Sequence, residues 1–253
     1  MTSSQPRQDT TLDPRPHPSV LAEPSAREEQ QRRAELHTMY GDVGFHQREA
    51  WKAAPAVFSE HALRILNHPV MEDWEDPYME RLAQIATRRD GHELTVLEIG
   101  FGLGISAGYI GRNPRVSRHT IIEANHEVAD RARKFARERR PAVRVLEGLW
   151  EEVIDEIPDG SCDGILFDAY PLQESEVQNQ AHFAGTAYRK LRVGGYFTYF
   201  SDETTGYRPE HLRTLIDAGF AEQNISHEIV PVSPPPDCQY WKSSTIMAPV
   251  LVK

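Results

Sequence analysis

After Thr95 the chain alternates short apolar runs with amphipathic stretches. The runs at 94–99, 119–123, 143–147, 163–168, 194–200, 224–231 and 245–252 predict strands, and the stretches near 104–111, 126–138, 150–156, 175–191 and 209–217 predict helices. Strand and helix in alternation predict an α/β fold with a parallel sheet covered on both faces through right-handed crossovers. Arg192-Val193-Gly194-Gly195 fits a helix stop ahead of a strand. Between the last two strands, Pro231 to Ser244 carries no helical pattern, which predicts an antiparallel hairpin. No repeat period is present, and solenoids are excluded.

Upstream of Thr95 the pattern is different. Residues 1–24 are rich in Ser, Thr, Gln, Pro and Arg and offer too little apolar surface to offset the entropy of ordering, so a mobile tail is expected. Residues 25–40 are strong helix formers with few core positions, which predicts a largely exposed helix. A segment holding Trp51, Phe58, Leu63, Ile65 and Leu66 follows, and then a helix from about Met71 to Arg88 with Pro77 breaking it near its start.

A chain of 253 residues with a formal charge of −10 is expected to have one core and to bind neither nucleic acid nor an anionic membrane, whose affinity comes from clustered Lys and Arg. Net acidity favours cationic ligands. Cys162 and Cys238 have no Cys-x-x-Cys spacing and no histidine cluster beside them, so no metal site is expected and a reduced, cytoplasmic setting is the default. Residues 1–18 lack the apolar stretch of a signal peptide.

The chemistry begins at Val96-Leu97-Glu98-Ile99-Gly100-Phe101-Gly102-Leu103-Gly104, a strand running into a glycine loop and then a helix. Such a loop approaches a nucleotide closely and aims helix N-terminal amides at it. Gly102, Gly104 and Ala107 fit the dinucleotide pattern, and Glu123 lies 21 residues after Gly102, so the loop alone admits NAD. Glu98 tilts the choice, because an acid inside the first strand resembles the E/D-x-G-x-G-x-G signature of S-adenosylmethionine-dependent methyltransferases, where it helps position the methionine end. The closing hairpin is likewise similar to the seven-stranded methyltransferase variant of the doubly wound Rossmann-like fold, whereas dehydrogenases continue with a second mononucleotide-binding half. Glu123 can accept both ribose hydroxyls. Asn125 suits a helix cap better than a ligand. Leu149, Trp150 and Glu151 follow the third strand, where an adenine would lie, and Asp168 ends the fourth, aimed at the transferable group.

Over roughly residues 50–253 the chain resembles the guanidinoacetate N-methyltransferase family. The resemblance is carried by Trp51-x-Ala-Ala-Pro55, the block from Pro69 through Trp74-Glu75-x-Pro77-Tyr78-Met79, Leu97 to Gly102, Ile121-Ile122-Glu123, Gly148-Leu149-Trp150-Glu151, and Asp163 through Asp168-x-Tyr170-Pro171-Leu172. It implies S-adenosylmethionine as cofactor, held by Glu98, Gly100, Gly102, Gly104, Glu123, Leu149, Trp150, Glu151 and Met71. It also implies a small guanidino substrate held by Glu75 and Asp168, with Tyr170 in the pocket and Trp51 on a lid. The implied division is a tail (1–24), a helical extension with the lid (25–93) and the methyltransferase domain (94–253), in a homodimer. Two carboxylates suit this chemistry. A guanidinium has no free lone pair, and removing its proton beforehand at pH 7 would cost on the order of 8 kcal/mol. Asp168 is expected to accept the proton during attack, with Glu75 as orienter and second acceptor.

One stretch departs from the family. Where the family holds the guanidinoacetate carboxylate on backbone amides and then inserts about a dozen residues, this chain reads Ser201-Asp202-Glu203-Thr204-Thr205-Gly206-Tyr207 without the insertion. Two acids beside a substrate carboxylate would repel it unless a cation is also present. Free L-arginine, with its α-ammonium on Asp202 or Glu203, satisfies that condition; guanidinoacetate with solvated loop acids is the alternative.

Overall fold

The computed structural model describes residues 47–253, apart from 92, 139–141, 174–175 and 177–180. The tail and the helix predicted over 25–40 lie outside the described residues. Seven strands, β4 (Leu94–Ile99), β5 (Val116–Glu123), β6 (Ala142–Glu147), β7 (Cys162–Phe167), β8 (Leu191–Tyr199), β9 (Ile225–Pro231) and β10 (Thr245–Val252), form one sheet ordered β6-β5-β4-β7-β8-β10-β9. The first five run parallel, and β10 is antiparallel to both β8 and β9. This is the predicted doubly wound sheet with its closing hairpin.

Side chains alternate across a strand, and the central strands are apolar on both faces. Leu97, Ile99, Ile165 and Phe167 join one core with Phe183, Ala187, Leu215 and Phe220. These come from the segment leading to α6 (Ala184–Lys190), from α6 itself, and from α7 (Pro209–Asp217) with the turn after it. Val96 and Leu166 face the other way, onto Met79, Leu82 and Ile85 of α2 (Asp76–Ala86) and Ile110 of α3 (Ile105–Arg112). A third cluster joins Ile121, Phe101 and Ala107 to α1 (Arg48–Ala53) and α4 (His126–Arg137) through Trp51, Val128 and Ala132. Asn125 caps α4, accepting from the backbone N–H groups of Glu127 and Val128. A short α5 (Trp150–Val153) follows β6.

Besides a turn at residues 181–183 that interrupts the helix expected over 175–191, the structure departs from the pattern in three places. Residues 56–72 form a separate antiparallel sheet of β1 (Ala56–Phe58), β2 (Ala62–Ile65) and β3 (His68–Glu72). Its β2–β3 turn places Leu66 and Asn67 at φ 52 and 67, the left-handed geometry of a tight hairpin without the glycine that usually announces it. Consequently the helix predicted from Met71 starts later: Met71 belongs to β3, a 3₁₀ turn covers Asp73–Glu75, and α2 begins at Asp76 with Pro77 in its first turn, where a missing N–H costs nothing. Third, Arg192 to Gly195 is a bulge inside β8 rather than a stop before it. Leu191 already pairs with Cys162, the register then jumps to Tyr196 opposite Gly164, and the Gly194 N–H donates to the Lys253 carbonyl at 2.7 Å. Among the described residues no helix is long and apolar enough to cross a membrane.

Candidate active site

A cleft opens at the carboxyl ends of β4, β5, β7 and β8, where ligands bind in open α/β sheets. The glycine loop forms its floor. Gly100 sits at φ +88, and a Cβ there would lie 2.0 Å from the Asp168 carbonyl oxygen. The neighbouring Asp168 N–H donates to the Ile99 carbonyl at 2.8 Å. This glycine therefore lets the ends of β4 and β7 meet. At Gly102 a Cβ would press 2.9 Å from the Met71 sulfur, which also accepts the Leu103 N–H at 3.3 Å. The small sheet thus grips the loop through Met71. Glu123, at the end of β5, accepts the Phe101 N–H (2.9 Å) on one oxygen and the Asn125 N–H (2.8 Å) on the other. The backbone N–H groups of Gly102 and Ala124 also act on this carboxylate, so it is fixed at the cleft floor among the amides of the glycine loop. Leu149, Trp150 and Glu151 line the same end of the cleft.

At the other end stand Glu75 and Asp168. Glu75, 2% exposed, comes from the 3₁₀ turn entering α2, and its Oε1 accepts both the Glu72 N–H (2.8 Å) and the Tyr240 hydroxyl. Burial, followed by the charge of Asp168, raises its carboxyl to about 8. The Asp168 carboxyl is raised to about 7, first by burial and then by the charges of Glu98 and Glu123. Two carboxylates of elevated basicity in one cleft disfavour each other's charge, and a bound cation relieves both. Tyr170 stacks on Trp51 with ring centroids 4.4 Å apart, and its hydroxyl meets His68 Nδ1 at 3.0 Å. Trp51 is 3% exposed yet lines the cleft. Its carbonyl and that of Ala54 accept from Asn125 Nδ2 at 2.9 and 2.8 Å, so packing and site roles coincide in it. Arg48 also lines the cleft and binds Glu151 and Glu176, strapping α1 across the mouth.

Three residues expected in the site lie behind it. Glu98 is completely buried. Its Oε1 takes the Ser106 hydroxyl, and Oε2 lies 2.7 Å from His119 Nε2 in a contact outside hydrogen-bond angles. It braces α3 and β5 under the loop instead of walling the cleft. Gly104 is the left-handed N-cap of α3, with φ +78, and packs on the Phe101 ring. Glu203 is turned away: its Oε1 accepts Arg208 Nε at 2.6 Å and contacts His211 Nδ1 at 3.1 Å. Asp202, its neighbour, does line the cleft. Conversely, Tyr240 and Trp241 enter the site from the β9–β10 loop, where the sequence showed two aromatics in a stretch otherwise rich in turn formers.

The model of the guanidinoacetate N-methyltransferase family matches residues 41–253. The protein arginine N-methyltransferase 2 of Yarrowia lipolytica is 31% identical over 178 residues, covering 66% of this chain and 36% of that protein. Its namesake in Eremothecium gossypii is 38% identical over 105 residues, covering 40% of this chain and 25% of that protein. The chain thus matches only a quarter to about a third of the length of these relatives. Among solved structures, spermidine synthase from Thermotoga maritima superimposes with a TM-score of 0.58 at 14% identity, covering 79% of this chain and 72% of the other, a likeness of fold.

Proposed function

The chain belongs to the guanidinoacetate N-methyltransferase family, and from that membership we propose that it methylates a guanidino nitrogen of free L-arginine, giving Nω-methyl-L-arginine. The family and fold make S-adenosylmethionine the methyl donor. The residues present fit it. A glycine loop closed by Met71, an acid ending β5 at the cleft, and a wall of Leu149 and Trp150 lead to the paired carboxylates. When bound, the donor supplies an electrophilic methyl group on a sulfonium.

The observation that carries the proposal is the line of acids along one cleft: Glu75 and Asp168 at the transfer end and Asp202 beside them. The planar guanidinium fork pairs with Glu75, whose Oε1 is already taken by Tyr240 and the Glu72 N–H, so Oε2 is the oxygen left for the substrate. Asp168 would accept the N–H proton of the attacking guanidino nitrogen, while the donor, when bound, would give up its methyl group and keep the electron pair of the broken S–CH3 bond. Burial, the first cause of the raised basicity of Asp168, persists with substrate bound and suits the carboxylate to that task. Stacked Trp51 and Tyr170 cover the pocket and exclude water. Asp202 receives the α-ammonium, whereas guanidinoacetate would bring a carboxylate toward it. The names of the relatives support arginine as the methylated group, and an arginine side chain within a protein is the second reading.

The test offers isotopically labelled S-adenosylmethionine with arginine, guanidinoacetate, N-acetylarginine amide and an arginine-containing peptide, following methyl transfer by mass spectrometry. Arginine is expected to be the preferred acceptor. Exclusive turnover of guanidinoacetate, or turnover of the peptide but not the free amino acid, would overturn the proposal.

A further inference from the structure

The acid turned away from the cleft has work of its own. Glu203 is 7% exposed and clasps Arg208 at 2.6 Å. It is in turn fixed by His211, whose Nε2 meets the Tyr199 hydroxyl of β8 at 2.5 Å. A buried carboxylate anchored to the sheet therefore orients one edge of the Arg208 guanidinium. The outer edge is held loosely, 3.5 Å from Asp202 and 3.5 Å from Glu210. Arginine has five N–H donors in a rigid fork, and one short bond, at Nε, defines its position here. The outer edge lies 3.5 Å from Asp202, which lines the cleft, whereas Arg208 itself does not line it in the ligand-free protein.

In the rest of the cleft, Trp241 Nε1 is a buried donor without a hydrogen-bond partner, but it carries no charge. Among the described residues that line the cleft, Arg48 is the one arginine or lysine, and it is bound to Glu151 and Glu176 at the cofactor end. The loop also stands close to the transfer site. The Phe200 N–H donates to the Phe167 carbonyl at 3.0 Å, so β8 ends beside Asp168. The Ser201 N–H donates to the Tyr78 hydroxyl at 3.1 Å, three residues along α2 from Glu75.

We propose that Asp202 and Arg208 together form an α-amino-acid subsite, Asp202 receiving the ammonium and Arg208 the carboxylate of the substrate, with Glu203 and His211 positioning Arg208. This rests on the reading of arginine as substrate and extends it: Asp202 alone would accept any guanidine that carries an amine, and Arg208 supplies the discrimination against those that lack a carboxylate. An ion pair that opens to embrace a zwitterion exchanges one charge-assisted contact for two, and its charges are balanced before and after binding.

The experiment compares kcat/KM for arginine and for agmatine, which has the ammonium but no carboxylate, in the wild-type protein and in Arg208→Gln, Arg208→Lys and Glu203→Gln. Binding of S-adenosylhomocysteine by calorimetry serves as a check of fold. Wild type should favour arginine, and Arg208→Gln should lower the arginine-to-agmatine ratio by about tenfold to a hundredfold, the value of one charge-assisted hydrogen bond. The loss should appear in KM more than in kcat, with partial recovery in Arg208→Lys. Glu203→Gln should move the ratio in the same direction by less. If wild type uses arginine but Arg208→Gln lowers both substrates in equal proportion, Arg208 merely holds the loop and the inference fails while the arginine reading stands. If wild type turns over guanidinoacetate and neither amine-bearing substrate, the arginine reading fails and the subsite with it.

Discussion

Replacing Glu75 by Gln should stabilise the ligand-free protein, and increasingly so as pH rises. Burial and then the charge of Asp168 lift the Glu75 carboxyl from 4.5 to about 8 in the folded chain. The folded state therefore retains a proton that the unfolded chain releases near its ordinary value. Stability is fully present below about pH 4 and declines as pH climbs toward the folded value. At 1.36 kcal/mol for each tenfold step in the protonation equilibrium, complete ionisation costs about 5 kcal/mol, of which roughly 3 kcal/mol is incurred between about pH 5.5 and 9. Glutamine keeps a carbonyl oxygen for the Tyr240 hydroxyl and the Glu72 N–H and carries no charge. For a chain of this size about 1 kcal/mol corresponds to 2–4 °C, so the gap in Tm between variant and wild type should widen by about 6–12 °C over that interval. Thermal melts followed by circular dichroism at about pH 5.5, 7 and 9, without ligand, measure it. A gap that stays constant with pH would refute the placement of an ionisable Glu75 against Asp168.

Asp168→Asn should lower kcat by about a hundredfold to ten-thousandfold, the range of general-base catalysis, while calorimetry shows S-adenosylhomocysteine binding within a few-fold of wild type. Because both carboxylates must be ionised to hold and deprotonate a guanidinium, kcat/KM should rise with pH through about 7 to 8. Tyr240→Phe removes a hydrogen bond that favours the charged form of Glu75, so its acid limb should move to higher pH; an unshifted profile would assign Tyr240 to packing alone. Gly100→Ala should destabilise the protein by at least about 2 kcal/mol in denaturant titrations and abolish cofactor binding, since its methyl collides with backbone at a positive φ.

The sheet was legible because parallel strands covered on both faces read as near-continuous apolar runs, and Gly102-Leu103-Gly104 and Pro231 to Ser244 mark where the chain turns. The β1–β3 sheet was not, because strands of three to five residues joined through Leu66-Asn67 present neither length nor a glycine turn. Asp168 and Glu123 line the cleft because each ends a strand whose direction the pattern predicts, whereas Glu75, which also lines it, was reached through the family resemblance alone. Glu98 was found but aimed wrongly. Inside a strand its side chain points into a neighbouring layer, here toward Ser106 and His119, and a histidine in the middle of the adjacent strand was the available clue. Asp202 and Glu203 are consecutive, and only Asp202 faces the cleft. Tyr240 reaches Glu75 across 165 positions of sequence, a contact that local pattern does not encode.

Tyr78 joins the transfer end of the cleft to the loop that carries Asp202. Its hydroxyl donates to the Met247 carbonyl at 3.0 Å, reaches the Tyr199 carbonyl at 3.4 Å and accepts the Ser201 N–H at 3.1 Å. The helix whose entry turn carries Glu75 is thereby pinned to the strand end that carries Asp202. The two proposed grips on the substrate are then surveyed from one benchmark, and the cleft would work as a calliper. On the proposed reading of arginine as substrate, a guanidine one methylene longer or shorter should meet jaws that cannot adjust independently, with one buried phenol setting the span.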